Sequence, residues 1–310
     1  MKNFADNLLH AVKSKGNPCV IGLDPRLDQM PRFVWDGTSG TATEENIRLA
    51  IRHFHETIIE AVAPLVPAVK PQIAFHEQYG IGGLLAFRDT VEIAKNAGLL
   101  VITDAKRNDI SSTAQAYASA FLGVTQLPRG QVRAFEVDCL TVSPYMGRDS
   151  LTPFIDVCRE HGKGIFVLVK TSNPGSKDLQ DQLIGKSGEP VYSVVARMVD
   201  ELGATVVGDS GYSSVGAVVG ATFPAEADAL RKLMPRSIFL VPGYGAQGGT
   251  AADAMRCFNK DGLGAVINAS RSVTFAFKTP DISRADYLAL VQSKTREMIA
   301  DLTAAARSPK

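Results

Sequence analysis

The sequence has little of what marks a cross-linked, metal-bound, membrane-embedded or nucleic-acid-binding protein. Its four cysteines, Cys19, Cys139, Cys158 and Cys257, stand far apart with no paired spacing. That suits reduced thiols better than a disulfide framework or a zinc site. No apolar run approaches the roughly 18 residues needed to cross a bilayer. Asp6 and His10 break up the apolar start, which therefore does not read as a signal peptide. With 33 Lys and Arg against 32 Asp and Glu, there is no charge excess to attract nucleic acid or an anionic membrane. A cytoplasmic location is the resulting expectation. His53 and His55 lie two apart on one expected helix and face different ways, so they read as ordinary surface or boundary histidines, with no metal site expected. Nor does a Gly-x-Gly-x-x-Gly fingerprint follow the first apolar run, as it does in dinucleotide-binding open sheets.

What is present is material for a sizeable core: 310 residues, 45% hydrophobic and 21% charged, enough for one large or two small domains. Short apolar runs predict strands at 19–23, 68–71, 98–101, 135–142, 164–169, 215–220, 238–241 and 264–267. Amphipathic stretches alternate with them. A short leading helix is expected over 3–13. Thr43 is a good N-cap for a helix whose apolar face is Ile47, Ile51, Phe54, Ile58 and Val62, with Glu44 and Glu45 suiting its dipole. Further helices are expected over 83–96, 113–121, 151–159, 191–202 with Pro190 as first helical residue, up to Met234, over 250–258 and over 285–305. Continuous apolar strands alternating with helices indicate a parallel sheet covered by helices. Eight such pairs favour an α/β fold of the closed (β/α)₈ TIM-barrel type over a doubly wound open sheet, with sites at the C-terminal ends of the strands. No linker interrupts the pattern, so one domain over 1–310 is expected.

The most informative stretch is Ile102-Thr103-Asp104-Ala105-Lys106-Arg107-Asn108-Asp109-Ile110, where charges begin as the third strand runs out. Strand side chains alternate between faces, so Asp104 and Lys106 point the same way, while Asp109 lies on the following turn. Such charges at the end of a buried strand are costly unless paired, and they form either a solvated ion pair or a site. In a barrel, the polar residues that stop strands share one rim: Asp24, Lys70, Asp104 with Lys106, and Ser172. The other half of the rim suits phosphate. Pro242-Gly243-Tyr244-Gly245-Ala246-Gln247-Gly248-Gly249-Thr250 follows the seventh strand and Asn268-Ala269-Ser270-Arg271-Ser272 the eighth. Glycines let backbone amides approach an anion, a helix start after Gly249 adds its dipole, and Arg271 offers a fork of donors. The alternative is a Gly-rich turn with a surface arginine. The polar loop 171–189 is long for a plain connection and is either a lid, a binding loop or a disordered insertion.

Taken together, these residues resemble the orotidine 5′-phosphate decarboxylase family, in particular its longer bacterial branch. The resemblance covers most of the chain. Its core is Asp104-Ala105-Lys106-Arg107-Asn108-Asp109-Ile110 with Thr113. Gly22-Leu23-Asp24-Pro25, Lys70-Pro71, Thr171-Ser172-Asn173-Pro174-Gly175, the glycine-rich loop and the Arg271 loop support it. It implies a cofactor-free, metal-free decarboxylation of orotidine monophosphate to uridine monophosphate. It makes Lys106 the proton donor in an Asp–Lys–Asp network with Asp104 and Asp109, and sets Asp104 beside the departing carboxylate. Asp24 and Lys70 would contact the ribose region, Ser172 the pyrimidine, and Gln247 and Arg271 the phosphate, with Ser270 beside it. Asp109, Ile110 and Thr113 would serve the site of a neighbouring subunit, which implies a homodimer with shared sites. Asn108, Ser111 and Ser270 stand where related sequences often have glycine, which bears on loop geometry. Two alternatives remain. Metal-dependent phosphosugar synthases and decarboxylases share the Asp-x-Lys-x-x-Asp barrel but carry an acidic ligand where this chain has Lys70. A non-catalytic binder of a phosphoribosyl ligand is the other.

Overall fold

The computed structural model describes residues 3–39, 41–186, 188–245 and 247–307. Eight parallel strands form a closed barrel: β1 (Cys19–Leu23), β2 (Ala68–Pro71), β3 (Leu100–Arg107), β4 (Cys139–Val142), β5 (Gly164–Lys170), β6 (Ser213–Val219), β7 (Ser237–Val241) and β8 (Ala265–Ala269). Each pairs with the next in sequence, and β1 closes the ring by pairing Ile21 with both Val69 of β2 and Ala269 of β8. Helices cover the outside, so β1, β6 and β7 are buried along their whole length, and apart from the serines that open β6 and β7 they read as apolar runs.

The barrel is filled and stoppered at one end. Val20, Ala68, Ile102, Cys139, Phe166, Val218, Leu240 and Val266, one from each strand, pack in a cluster separate from the larger core between strands and helices. The leading helix Phe4–Lys15 buries Phe4, Leu8 and Leu9 against that cluster, and the Phe4 ring meets Phe166 edge-on at 6.2 Å. A Cβ on Gly164 would lie 2.1 Å from the Phe4 ring, so the first residue of β5 must be glycine to admit it. The N-terminal end of the barrel is closed, and polar residues are left to the other.

Several elements differ from the pattern read along the sequence. β3 is longer than its apolar run, because Asp104 and Lys106 are paired on the strand and Thr141 of β4 accepts hydrogen bonds from the Ala105 and Lys106 amides at 3.0 and 2.9 Å. β4 is shorter, since Glu136 adopts φ 54° and breaks the extension before Cys139. Pro190 is the N-cap of helix Val191–Gly203 rather than its first residue, its extended backbone pairing with Leu183. Two hairpins, Thr125–Leu127 with Gly130–Val132 and Leu183–Ile184 with Glu189–Pro190, are too short to carry an alternating apolar signal.

His55 is neither a surface nor a boundary residue. It is fully buried, with Nδ1 2.8 Å from Thr90 Oγ1 and its ring 5.5 Å from that of His76. Helix Glu44–Val62 packs against both Gly80–Asn96 and Arg284–Arg307, so its buried arc is wider than one apolar stripe. His53 is half-buried, with Nδ1 3.0 Å from the Val34 carbonyl. The four cysteines are buried and unpaired, and burial pushes the Cys19 and Cys257 thiols up to about 12. Among the described residues no helix is long and apolar enough to cross a membrane.

Candidate active site

Asp104 lies at the centre of the open rim. Its Oδ2 is 3.0 Å from Lys70 Nζ, its Oδ1 2.5 Å from Lys106 Nζ, and Thr141 Oγ1 donates to Oδ1 at 3.0 Å. Asp104 and Lys106 meet as the sequence spacing suggests, although β3 shifts register against β4 between Thr103 and Arg107 and the regular alternation is interrupted there. Lys70 reaches Asp104 from β2, the strand hydrogen-bonded to β3. Lys70 is buried, whereas the Lys106 side chain is 48% exposed and free to meet a ligand. Burial works against both charges of the inner pair, but proximity wins. Lys70 and then Lys106 hold the Asp104 carboxyl well below the usual range, and Asp104 and then Asp24 keep the Lys70 ammonium above the ordinary lysine value despite its burial.

Lys106 itself has φ 49°, a left-handed backbone that a non-glycine residue holds only where its surroundings fix it. Thr141 does the fixing. One hydroxyl accepts from two successive amides and donates to Asp104, so its lone pairs and proton are all used. Sequence reasoning missed this residue; its only signal was a lone hydroxyl in the apolar run Cys139–Val142.

Within one chain the charged cluster is therefore lysine–aspartate–lysine. Asp109 is past the strand, half-buried, and its Oδ1 caps the Ile110 amide at 2.8 Å; among the described residues it makes no ion pair. Ile110 is 47% exposed, and Thr113 is exposed on helix Ser111–Phe121. The structure thus gathers Asp24, Lys70, Asp104 and Lys106, while among the described residues Asp109 stands outside their ion pairs and Ile110 and Thr113 are exposed. Asp24 Oδ1, Asn108 Oδ1 and Asn268 Oδ1 are buried without a hydrogen-bond partner. Each such atom costs roughly 1–3 kcal/mol, so a ligand hydroxyl or amide that satisfies it gains affinity.

On the opposite side of the rim, backbones and small side chains pack closely. A Cβ on Gly220 would sit 2.8 Å from Ser172 Cα, and one on Gly243 3.2 Å from Ser172 Cβ and 3.5 Å from Gln247 Oε1. These contacts bring Ser172 and Gln247 to one cavity of about 620 Å³. Ser270 is tolerated in place of glycine because it faces Gly22 of β1, where any Cβ would fall 1.8 Å from its hydroxyl. Arg271 is exposed and makes no ion pair among the described residues. The helix expected after Gly249 spans only Ala251–Met255, and a capping box between Thr250 and Asp253 takes the Thr250 and Asp253 amides. Ala246 of that loop, and Ser187 of the loop 171–189, lie outside the described residues. Among those described, no three His, Cys, Asp or Glu side chains are placed to hold one metal ion.

The family model of the orotidine 5′-phosphate decarboxylase / HUMPS family matches residues 46–281. The chain belongs to this family. A relative from Rhodopirellula baltica named orotidine 5′-phosphate decarboxylase is 48% identical over 91% of this chain and 92% of its own length. One of the same name from Caldicellulosiruptor bescii is 40% identical over 93% and 96%. Among solved structures, a putative orotidine 5′-phosphate decarboxylase from Streptomyces avermitilis superposes with a TM-score of 0.78 at 31% identity, covering 99% of this chain and 97% of its own. The Leishmania donovani OMP decarboxylase gives 0.73 at 31%, covering 99% and 100%. Within this orotidine 5′-phosphate decarboxylase / HUMPS chain, the family stretch takes in β2 to β8 and both halves of the rim, but begins after Asp24.

Proposed function

We propose that this chain converts orotidine 5′-phosphate to uridine 5′-phosphate and carbon dioxide in pyrimidine biosynthesis, with no metal and no organic cofactor, acting as one barrel domain in the cytoplasm. The observation that carries the reading is the Lys70–Asp104–Lys106 array at the rim. When the bond from the pyrimidine ring to its carboxylate breaks, the electron pair stays on the ring carbon. Without an electron sink, the protein must supply fixed positive charge and then a proton. Lys106 supplies both: its ammonium is the accessible member of the array, held against Asp104 and ready to protonate the ring carbon. Preorganised charge facing developing charge is usually the largest single term in catalysis. Asp104 lies beside the departing carboxylate, which raises the energy of the bound ground state relative to the transition state.

The remaining assignments follow the same reading. Asp24, with its unsatisfied Oδ1, and Lys70 bind the ribose region. Ser172 hydrogen-bonds the pyrimidine, while Gln247 and Arg271 hold the phosphate with Ser270 beside it. Binding energy from that remote group can be used at the reacting centre. Asp109, Ile110 and Thr113 complete the site of a second copy, which accounts for the lack of an Asp109 ion pair among the described residues of its own chain and for the exposure of Ile110 and Thr113.

The metal-dependent phosphosugar reading is weaker on a specific observation: the β2 position holds a buried ammonium 3.0 Å from Asp104. A second ammonium at the same carboxylate leaves little net negative charge for Mg²⁺, which binds through carboxylates, substrate oxygens and waters. Carbon dioxide release from orotidine 5′-phosphate is expected to survive EDTA unchanged. Loss of release with EDTA and its return with Mg²⁺ would overturn the metal-free reading, and no release under either condition would overturn the decarboxylase reading.

A further inference from the structure

The loop after β5 is built around a lysine that the reaction above does not use. Lys170, the last residue of β5, is completely buried, an expensive place for an ammonium. Its Nζ donates to Asp181 Oδ1 at 2.5 Å and to Ser176 Oγ at 3.1 Å, and lies 4.3 Å from the centre of the Phe223 ring. Next to it, the Thr171 amide donates to Gln180 Oε1 at 2.9 Å, and Gln180 Nε2 returns a bond to Thr171 Oγ1 at 2.9 Å. These contacts pin the segment from Pro174 to Asp181 onto the strand end, with Ser176 buried beneath it. The clamp has an electrostatic result as well as a steric one. Asp181 is committed to Lys170, while Lys177, next to the pinned Ser176, makes no ion pair among the described residues.

Lys177 lines the cavity of about 620 Å³ shared with Ser172, Asn173, Thr222, Phe223 and Gln247. Among the described residues it is the one ionisable group on that lining, and no carboxylate there opposes it. The cavity therefore carries net positive charge on one wall and an amide side chain on another, the combination that recognises an oxyanion. We propose that Lys177 is a further phosphate-binding residue, donating to the phosphoryl group of the substrate from the β5 loop while Gln247 approaches it from the β7 loop, and that the Lys170 clamp positions it. This rests on the nucleotide reading of the site given above. It also assigns the first half of the 171–189 loop a binding role.

The test compares substrates that differ only in the phosphate. In Lys177→Met, kcat/KM on orotidine 5′-phosphate is expected to fall about tenfold to a hundredfold, the usual weight of a hydrogen bond to a charged group, mainly through KM. On the nucleoside orotidine, which lacks the phosphate, kcat/KM should stay within about twofold of wild type. Lys177→Arg should recover most of the loss. The side chain is exposed, so neither substitution threatens folding. An equal loss on both substrates would mean a structural role and overturn the proposal, as would no loss on either. A wild-type chain with no turnover of orotidine 5′-phosphate would instead bring down the decarboxylase reading and this inference with it.

Discussion

At the scale of single residues, the site turns on how many bonds converge on Asp104. Asp104 and Lys106 were legible because two opposite charges two apart at the end of an apolar strand need an explanation, and Lys70 because a lysine ended a second such strand. Thr141 was not, since a threonine in a strand is ordinary and only the three-dimensional pairing of β3 with β4 shows its hydroxyl against two amides and a carboxylate. Thr141→Val keeps the shape and removes all three bonds. It should lower kcat by about tenfold or more, through release of the strained Lys106 backbone, and cost on the order of 1–3 kcal/mol of stability. Steady-state kinetics with denaturant unfolding measures both, and an unchanged kcat would show that Lys106 is held by something else. The charges themselves are insensitive to neutral pH. Asp104 has a lowered pKa, so its stabilising contribution is present above the ordinary carboxylate value near 3.8 and lost only below it. Lys70 has a raised one, so its contribution is present below about 10.5 and lost only as pH climbs past that.

At the scale of elements, the strands and most helices were legible from apolar periodicity, while the short hairpins and the burial of His55 were not. Periodicity reports one face of a helix, and Glu44–Val62 is covered on more than one. The consequence is a pair of neutral histidines locked between helices. His55 packs on His76, and His76 on Phe87, with Nε2 of both histidines buried and unpartnered. Burial lowers both, His76 to about 4. A histidine whose folded value lies below its unfolded one near 6.5 contributes stability that is complete above 6.5 and is lost as pH falls toward 4. For His76 the full loss is on the order of 3 kcal/mol, from about 1.4 kcal/mol per unit. The thermal midpoint should therefore fall between pH 6.5 and 4.5 by more in the wild type than in His76→Gln, which cannot charge. Equal slopes in the two proteins would mean the acid sensitivity lies elsewhere.

At the scale of the whole molecule, the barrel was legible because eight apolar strands in alternation leave few other closed arrangements, whereas the sharing of sites proposed above has no signal in spacing. The single chain carries features that bear on that proposal. Asp109 makes no ion pair among the described residues, and the segments after β3 and β4 leave Ile110, Tyr145 and Met146 at 47%, 80% and 51% exposure. Apolar side chains this exposed at the edge of a charged rim suit burial by another protein surface. If that surface is a second copy, each site takes Lys106 from one chain and Asp109 from the other, and two-fold symmetry makes the exchange reciprocal. Lys106→Ala and Asp109→Ala should each be nearly inactive alone. Mixed in equal amounts with subunit exchange, half the dimers are hybrids, and each hybrid has one site with both groups and one with neither. Activity should therefore return to about one quarter of wild type. Recovery well below that after demonstrated exchange, for example by size-tagged chains, would overturn the shared-site reading and place Asp109 in the site of its own subunit.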